Sequence, residues 1–175
     1  MKKTLILSCA LALAGLSNVA LAANGAGGFI GADLGSSTVD TEFTGSDSDA
    51  TYGVRGGYFF NKHIAVEAFA TSLYDADIEG LDTTLSGVGA GLVLKNNYGK
   101  DGNGFFLDWR LGVSYLRGEV GSEDDTSTKP YVGMGAGYDF SDKFGMSVNY
   151  TAYKASFEGL DVDANTLTAA AEFRF

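Results

Sequence analysis

From Gly28 to the end, apolar and polar residues alternate in eight separate stretches: Gly28–Ser37, Ala50–Phe60, Ile64–Leu73, Thr84–Lys95, Phe105–Arg117, Pro130–Phe140, Phe144–Lys154 and Asp163–Phe175. Period two is the signature of a pleated strand whose faces meet different surroundings. The last stretch shows it most strictly. Leu167, Ala169, Ala171, Phe173 and Phe175 fall on one parity, and Thr168, Ala170, Glu172 and Arg174 on the other. Each stretch is close to the roughly 9 to 11 residues that a tilted strand needs to cross a bilayer. The pattern predicts an all-β fold: an eight-stranded, antiparallel, up-and-down transmembrane β-barrel.

Alternation alone does not say which face is inside, because a soluble lipocalin-like barrel has the same period with its apolar face inward. Composition favours lipid on the apolar side. A water-exposed face carries many long solvated side chains, whereas this polar parity is mostly glycine with a few charges, as in Gly53, Arg55, Gly57 and in Gly87, Gly89, Gly91. The apolar parity also sets aromatics near strand ends, among them Tyr52, Phe60, Tyr115, Tyr138, Phe140, Phe144, Tyr150, Phe173 and Phe175, where lipid headgroups would lie.

The connections alternate in length. Asn61-Lys62-His63 and Ser141-Asp142-Lys143 are tight, whereas Thr38–Asp49, Tyr74–Thr83, Gly118–Lys129 and Ala155–Val162 read as longer polar loops. Short turns on the periplasmic side and long loops outside are the expected asymmetry. Asn96–Gly104 departs from it and reads as a loose, glycine-rich periplasmic turn. The N-terminus has the parts of a secretory signal: Lys2 and Lys3, an apolar run from Leu5 to Leu16, and Ala20-Leu21-Ala22 before a cut after Ala22. The domains expected are residues 1–22 as signal peptide and 23–175 as barrel. Cys9, the single cysteine, lies within the signal with too few apolar residues before it for a lipoprotein anchor, so the mature chain has no thiol chemistry.

Setting Lys2 and Lys3 aside reduces the 12 basic residues to 10 against 22 acidic ones, a formal charge of −12. A chain with that balance is expected to avoid nucleic acid and anionic surfaces. With 25 glycines and one proline, the composition disfavours long helices and disorder and suits a twisted sheet.

Gly31-Ala32-Asp33-Leu34-Gly35, Gly53-Val54-Arg55-Gly56-Gly57-Tyr58, Ile64-Ala65-Val66-Glu67 and the closing Phe173-Arg174-Phe175 give the chain its likeness. It resembles the eight-stranded OmpA-like family of outer-membrane barrels, which includes the OmpX and Ail-like proteins. The resemblance implies residence in a bacterial outer membrane among lipid and lipopolysaccharide. It also implies a C-terminal signal at Phe173 and Phe175, read by the barrel assembly machinery. Larger members continue into a peptidoglycan-binding domain. Nothing here follows the last strand, so no cell-wall tether is expected.

Threading the strands up and down sets Asp33, Arg55, Glu67, Asp108, Arg110, Asn149 and Glu172 at similar mid-barrel heights, with Lys95, Asp139 and Arg174 nearer the periplasmic rim. Asp33, Arg55 and Glu67 fall on consecutive strands and suggest an acid-base-acid ladder. Buried charges persist only when paired, and an eight-stranded bore is just wide enough for side chains. The structural reading is a polar plug, and the competing one is a narrow ion pathway. No cofactor, metal or catalytic residue is expected. Barrel enzymes that act on lipids need a histidine with a nucleophile or acid beside it, and the sole histidine, His63, sits in a turn next to Lys62.

The four long connections hold 15 of the 22 acidic residues, from Asp40, Glu42, Asp47 and Asp49 through Glu158, Asp161 and Asp163, with only Arg117, Lys129 and Lys154 at their margins. They read as a solvated acidic crown. Asp47-Ser48-Asp49 and Glu123-Asp124-Asp125 are oxygen-rich but lack the spacing of a complete calcium loop. The function expected is a structural or surface-interaction barrel without catalysis, with an Ail-like adhesin contacting a surface ligand through its loops as the alternative.

Overall fold

A computed structural model describes residues 25–41, 45–78, 81–99, 103–120, 123–157 and 160–175. The leader and Cys9 fall outside them. The eight alternating stretches form eight strands: β1 (Gly27–Thr41), β2 (Gly45–Asn61), β3 (Ile64–Ile78), β4 (Leu81–Asn97), β5 (Gly104–Val120), β6 (Glu123–Asp139), β7 (Phe144–Phe157) and β8 (Leu160–Arg174). Each pairs antiparallel with the next, and β8 pairs with β1 to close the barrel. The seam is tied at the end that carries the chain termini, where Gly28 and Phe175 exchange both backbone hydrogen bonds at 3.0 and 2.9 Å.

The register fixes the bore. The row Phe29, Gly57, Glu67, Gly91, Gly112, Tyr131, Tyr153, Ala164 runs once round the barrel and returns to β1 at Val39, ten residues beyond its start. Strand number and stagger together set tilt and diameter. Every inward position must then be filled by a side chain or made by a glycine that a neighbour overlies.

The faces lie as the composition indicates. Trp109 is 54% exposed, and Leu111 and Val148 also point outward, whereas Arg55 and Glu67 are 4% and 5% exposed inside. Outward aromatics gather at the two ends of the apolar band: Phe60, Tyr98, Phe105, Tyr138, Phe140, Phe144 and Phe173 at the end with the chain termini, and Tyr52, Tyr115 and Tyr150 at the other. Phe175 is half-buried, its ring over Gly28.

The stretches expected as long loops are largely strand. The ladders run on to Thr41↔Gly45, Ile78↔Leu81, Val120↔Glu123 and Phe157↔Leu160, leaving tips of two or three residues. Alternation reports only the part of a strand that lies between lipid and lumen. Beyond it both faces meet water and both parities turn polar, while the backbone groups still need partners and find them across the hairpin.

At the opposite rim, local side-chain bonds make the turns. Asn61 Oδ1 accepts from the N–H groups of His63 and Ile64 at 2.8 and 3.0 Å, and Ser141 Oγ accepts from Lys143 and Phe144 at 3.3 and 3.1 Å. Both are the short-side-chain turns expected of Asn and Ser. The longer connection is organised at its flanks rather than loose: Tyr98 N–H donates to Phe105 O at 2.8 Å, their rings stack, and Asn97 Oδ1 accepts from Gly99 N–H at 2.8 Å. Gly104 supplies the positive φ of 119° that starts β5.

Candidate functional site

The lumen is layered. In the middle, Arg55 Nη1 donates to Asp33 Oδ1 at 3.1 Å and its Nη2 lies 4.0 Å from Glu172. Arg110 donates to Asp108 at 3.2 Å and to Asn149 Oδ1 at 3.1 Å. Asp33, Arg55, Glu67, Asp108, Arg110 and Glu172 all line the lumen, where they form two separate ion-paired groups that leave Glu67 aside. The ladder is the exception: Glu67 accepts from Tyr131 Oη at 2.9 Å, while Arg55 pairs with Asp33 and Glu172. Glu67 and Tyr131 are 64 residues apart in sequence and meet only because β3 and β6 face each other across the closed bore.

Below this layer lies a second charged group. Asp139, 1% exposed, accepts from Lys95 Nζ at 3.0 Å, Arg174 Nη2 at 2.6 Å and Asn97 Nδ2 at 2.9 Å. Arg174 also holds Glu172 at 2.8 Å, which links the lower group to the middle one. Lys95 Nζ sits 3.6 Å from the centroid of the Phe106 ring and 6.0 Å from that of Phe59, and Phe59 clusters with Phe29, Ala65 and Val93. Residues placed near the periplasmic rim thus form a buried cross-barrel clamp between β4, β6 and β8.

Above the middle layer, Leu73, Leu85, Leu116, Tyr131, Tyr153 and Ala164 cluster with Val39 and Phe69. Tyr131 stacks on Tyr153 at 5.8 Å and meets Phe69 edge-on at 5.1 Å. A wholly polar filling is corrected to a polar layer between two aromatic ones. The glycines explain the difference, since each is a mould for a bulky neighbour. A Cβ at Gly112 or Gly91 would strike Tyr131, one at Gly89 would strike Phe69, one at Gly137 would strike Phe106, and one at Gly31 would meet Arg55 Nε at 3.0 Å.

Two small cavities lie among the described lumen residues. One cavity of about 40 Å³ is lined by Asp33, Arg55, Glu67, Arg110 and threonine hydroxyls, and a second of about 10 Å³ lies on the other side of Arg55, Glu67 and Arg110. Each has room for a few waters at most.

His63 is exposed in the β2–β3 turn with Nδ1 3.1 Å from Lys95 O. Among the described residues no three His, Cys, Asp or Glu side chains come together as a metal site. Asp49 and Asp125 lie within their strands and each accepts from the next residue's N–H, Ala50 and Thr126, at 2.7 Å. The side chains of Asp47, Glu123 and Asp124 lie outside the description, as do those of most other acidic residues of the crown.

A model of the outer membrane protein β-barrel domain family matches residues 7–175. The chain belongs to that family. Outer-membrane barrels are also its structural neighbours. Neisserial surface protein A superposes with a TM-score of 0.64 at 20% identity, covering 86% of this chain and 99% of that one. Ail, the attachment invasion locus protein of Yersinia pestis, crystallised with the heparin analogue sucrose octasulfate, gives 0.55 at 18% identity over 85% and 97%. OprG of Pseudomonas aeruginosa gives 0.54 at 19% identity over 85% and 97%. At these identities the likeness is one of fold. No curated protein sequence matches the chain.

Proposed function

We propose that this outer-membrane barrel is a closed, non-catalytic surface protein that presents four paired, acidic hairpins to the outside and conducts nothing through its bore. The filled lumen carries the reading: three side-chain layers leave cavities of about 40 and 10 Å³, separated by Arg55, Glu67 and Arg110. Residues 1–22 direct export, and the strand ending in Phe173 and Phe175 delivers the chain to the assembly machinery. Lipid and lipopolysaccharide surround the band. The exposed turn position of His63, on the periplasmic side, supports the absence of catalysis.

Planar-bilayer recording tests the closed bore. The wild-type protein is expected to stay silent, and reproducible openings that disappear in Arg55→Ala or Glu67→Ala would establish a pore instead. The surface role is tested by whole-cell binding to matrix proteins with each hairpin shortened in turn. A second reading, adhesion of the Ail type, draws on the fold likeness, but these hairpins are acidic and suit a basic partner surface better than a sulfated polyanion.

A further inference from the structure

The apolar band is not equally bulky all round. On β4, β5 and β6 one outward row runs Leu92, Leu111, Val132, each paired with the next. At the seam two alanines, Ala171 of β8 and Ala32 of β1, stand directly opposite each other on the outward parity. Taller side chains surround them. Phe144, Phe173 and Ile30, all exposed, form one row across β7, β8 and β1, and Val54 pairs with Ala32 from β2. The missing side-chain volume leaves an apolar hollow of about 300 Å³ on the outer surface. Gly31, Arg55 and Glu172 also border it. The last two approach each other to 4.0 Å inside the lumen, and a Cβ at Gly31 would meet Arg55 Nε at 3.0 Å. At Ala32 and Ala171 the wall beside this pair carries only methyl groups on its outer side.

We infer that the hollow is a binding site for a single acyl chain of a membrane phospholipid, seated across the β8–β1 seam. This rests on the apolar face meeting hydrocarbon. Size and lining name the chemistry. An engineered apolar cavity of about 150 Å³ takes up benzene, and this hollow offers about 300 Å³ walled by two phenylalanines, an isoleucine and a valine. Within hydrocarbon no hydrophobic force favours one surface over another, so packing decides. A chain crossing the ridge of Leu92 and Leu111 is touched from one side. One lying on Ala32 and Ala171 meets side chains on three sides and gains dispersion contacts with each. The hollow opens beside Phe144 and Phe173, girdle residues of the end with the chain termini, so the chain enters from the leaflet on that side. A second copy of the barrel fits worse. Two copies in one membrane stand the same way up, so a two-fold axis along the membrane normal sets hollow against hollow at one height, and the space between them stays empty. A seated chain also keeps hydrocarbon against the wall beside Arg55 and Glu172, where a low dielectric strengthens their attraction.

The test crystallises the protein from bicelles of phosphatidylcholine brominated on its acyl chains and locates bromine by anomalous scattering. Wild type is expected to show bromine over Ala32 and Ala171. Ala32→Leu/Ala171→Leu, which fills the hollow with side chains that still face hydrocarbon, is expected to lose it. Ala136→Leu, an equal enlargement on the outward parity of β6, is expected to keep it, with heat-modifiable gel migration retained by all three proteins. Bromine absent from the wild-type hollow, bromine that persists in the filled variant, bromine lost equally in Ala136→Leu, or a second copy of the chain seated over the seam would each overturn the proposal. A wild type whose gel migration ignores heat would overturn the membrane barrel, and the proposal with it.

Discussion

Asp139 is the residue on which the lower lumen turns, and Asp139→Ala is expected to destabilise the barrel by about 3–5 kcal/mol, the cost of leaving buried cations without their counterion. Its carboxylate receives Lys95, Arg174 and Asn97 within 3.0 Å. Removing it takes the hydrogen-bonded counterion from a buried ammonium that lies against the Phe106 and Phe59 rings. Arg174 fares better because Glu172 remains 2.8 Å away. Lys95→Met/Asp139→Leu, which removes the stranded charge along with its partner, should therefore recover at least about 2 kcal/mol of the loss, a coupling readable in a double-mutant cycle. Urea unfolding in lipid vesicles measures both, with the single tryptophan, Trp109, reporting departure from hydrocarbon. If Asp139→Ala unfolds within about 0.5 kcal/mol of wild type, the clamp is not an energetic element and the argument fails.

Other expectations follow from particular contacts. Tyr131→Phe removes the hydrogen bond to Glu67 and should cost about 1–3 kcal/mol, because the carboxylate stays buried; the same urea titration reads it. Gly91→Val places side-chain atoms against Tyr131 and the Leu111 carbonyl, and overpacking of about 1–3 kcal/mol should lower the heat-modifiable fraction on gels. In hydrogen–deuterium exchange, amides in the paired extensions Ser37–Thr41 and Arg117–Val120 should be protected well beyond fully open loop amides; random-coil exchange there would contradict the hairpin ladders.

The strand count and the two faces were legible in the chain because a membrane forces strict alternation on every segment that crosses it. The six central charges were legible for a related reason: a charge on the lumen parity of a narrow barrel has nowhere to go but inward. The aromatic layers were not. Phe29, Phe69, Tyr131 and Tyr153 share the parity of the glycines and charges, and taking that parity as uniformly polar hides them. The register pairs expose the signal that was missed, since Tyr131 stands beside Gly112 and Phe69 beside Gly89, a small residue next to each large one. The partner of Glu67 was hidden differently, because adjacency on consecutive strands suggested Arg55, whereas the contact with Tyr131 depends on the registers from β3 to β6, which pass over Gly91 and Gly112 between them. The hairpin extensions left no trace in hydropathy, since above the lipid both faces are wet.

The central claim, that hydrocarbon bathes the apolar face, is tested most directly by quenching of Trp109 fluorescence in vesicles of brominated lipids. Trp109 projects outward within the apolar band. Strong quenching by bromines on the acyl chains, with little effect from aqueous acrylamide, is the predicted result. A Trp109 that ignores the brominated chains and is quenched from water, or is reached from neither side, would contradict the account.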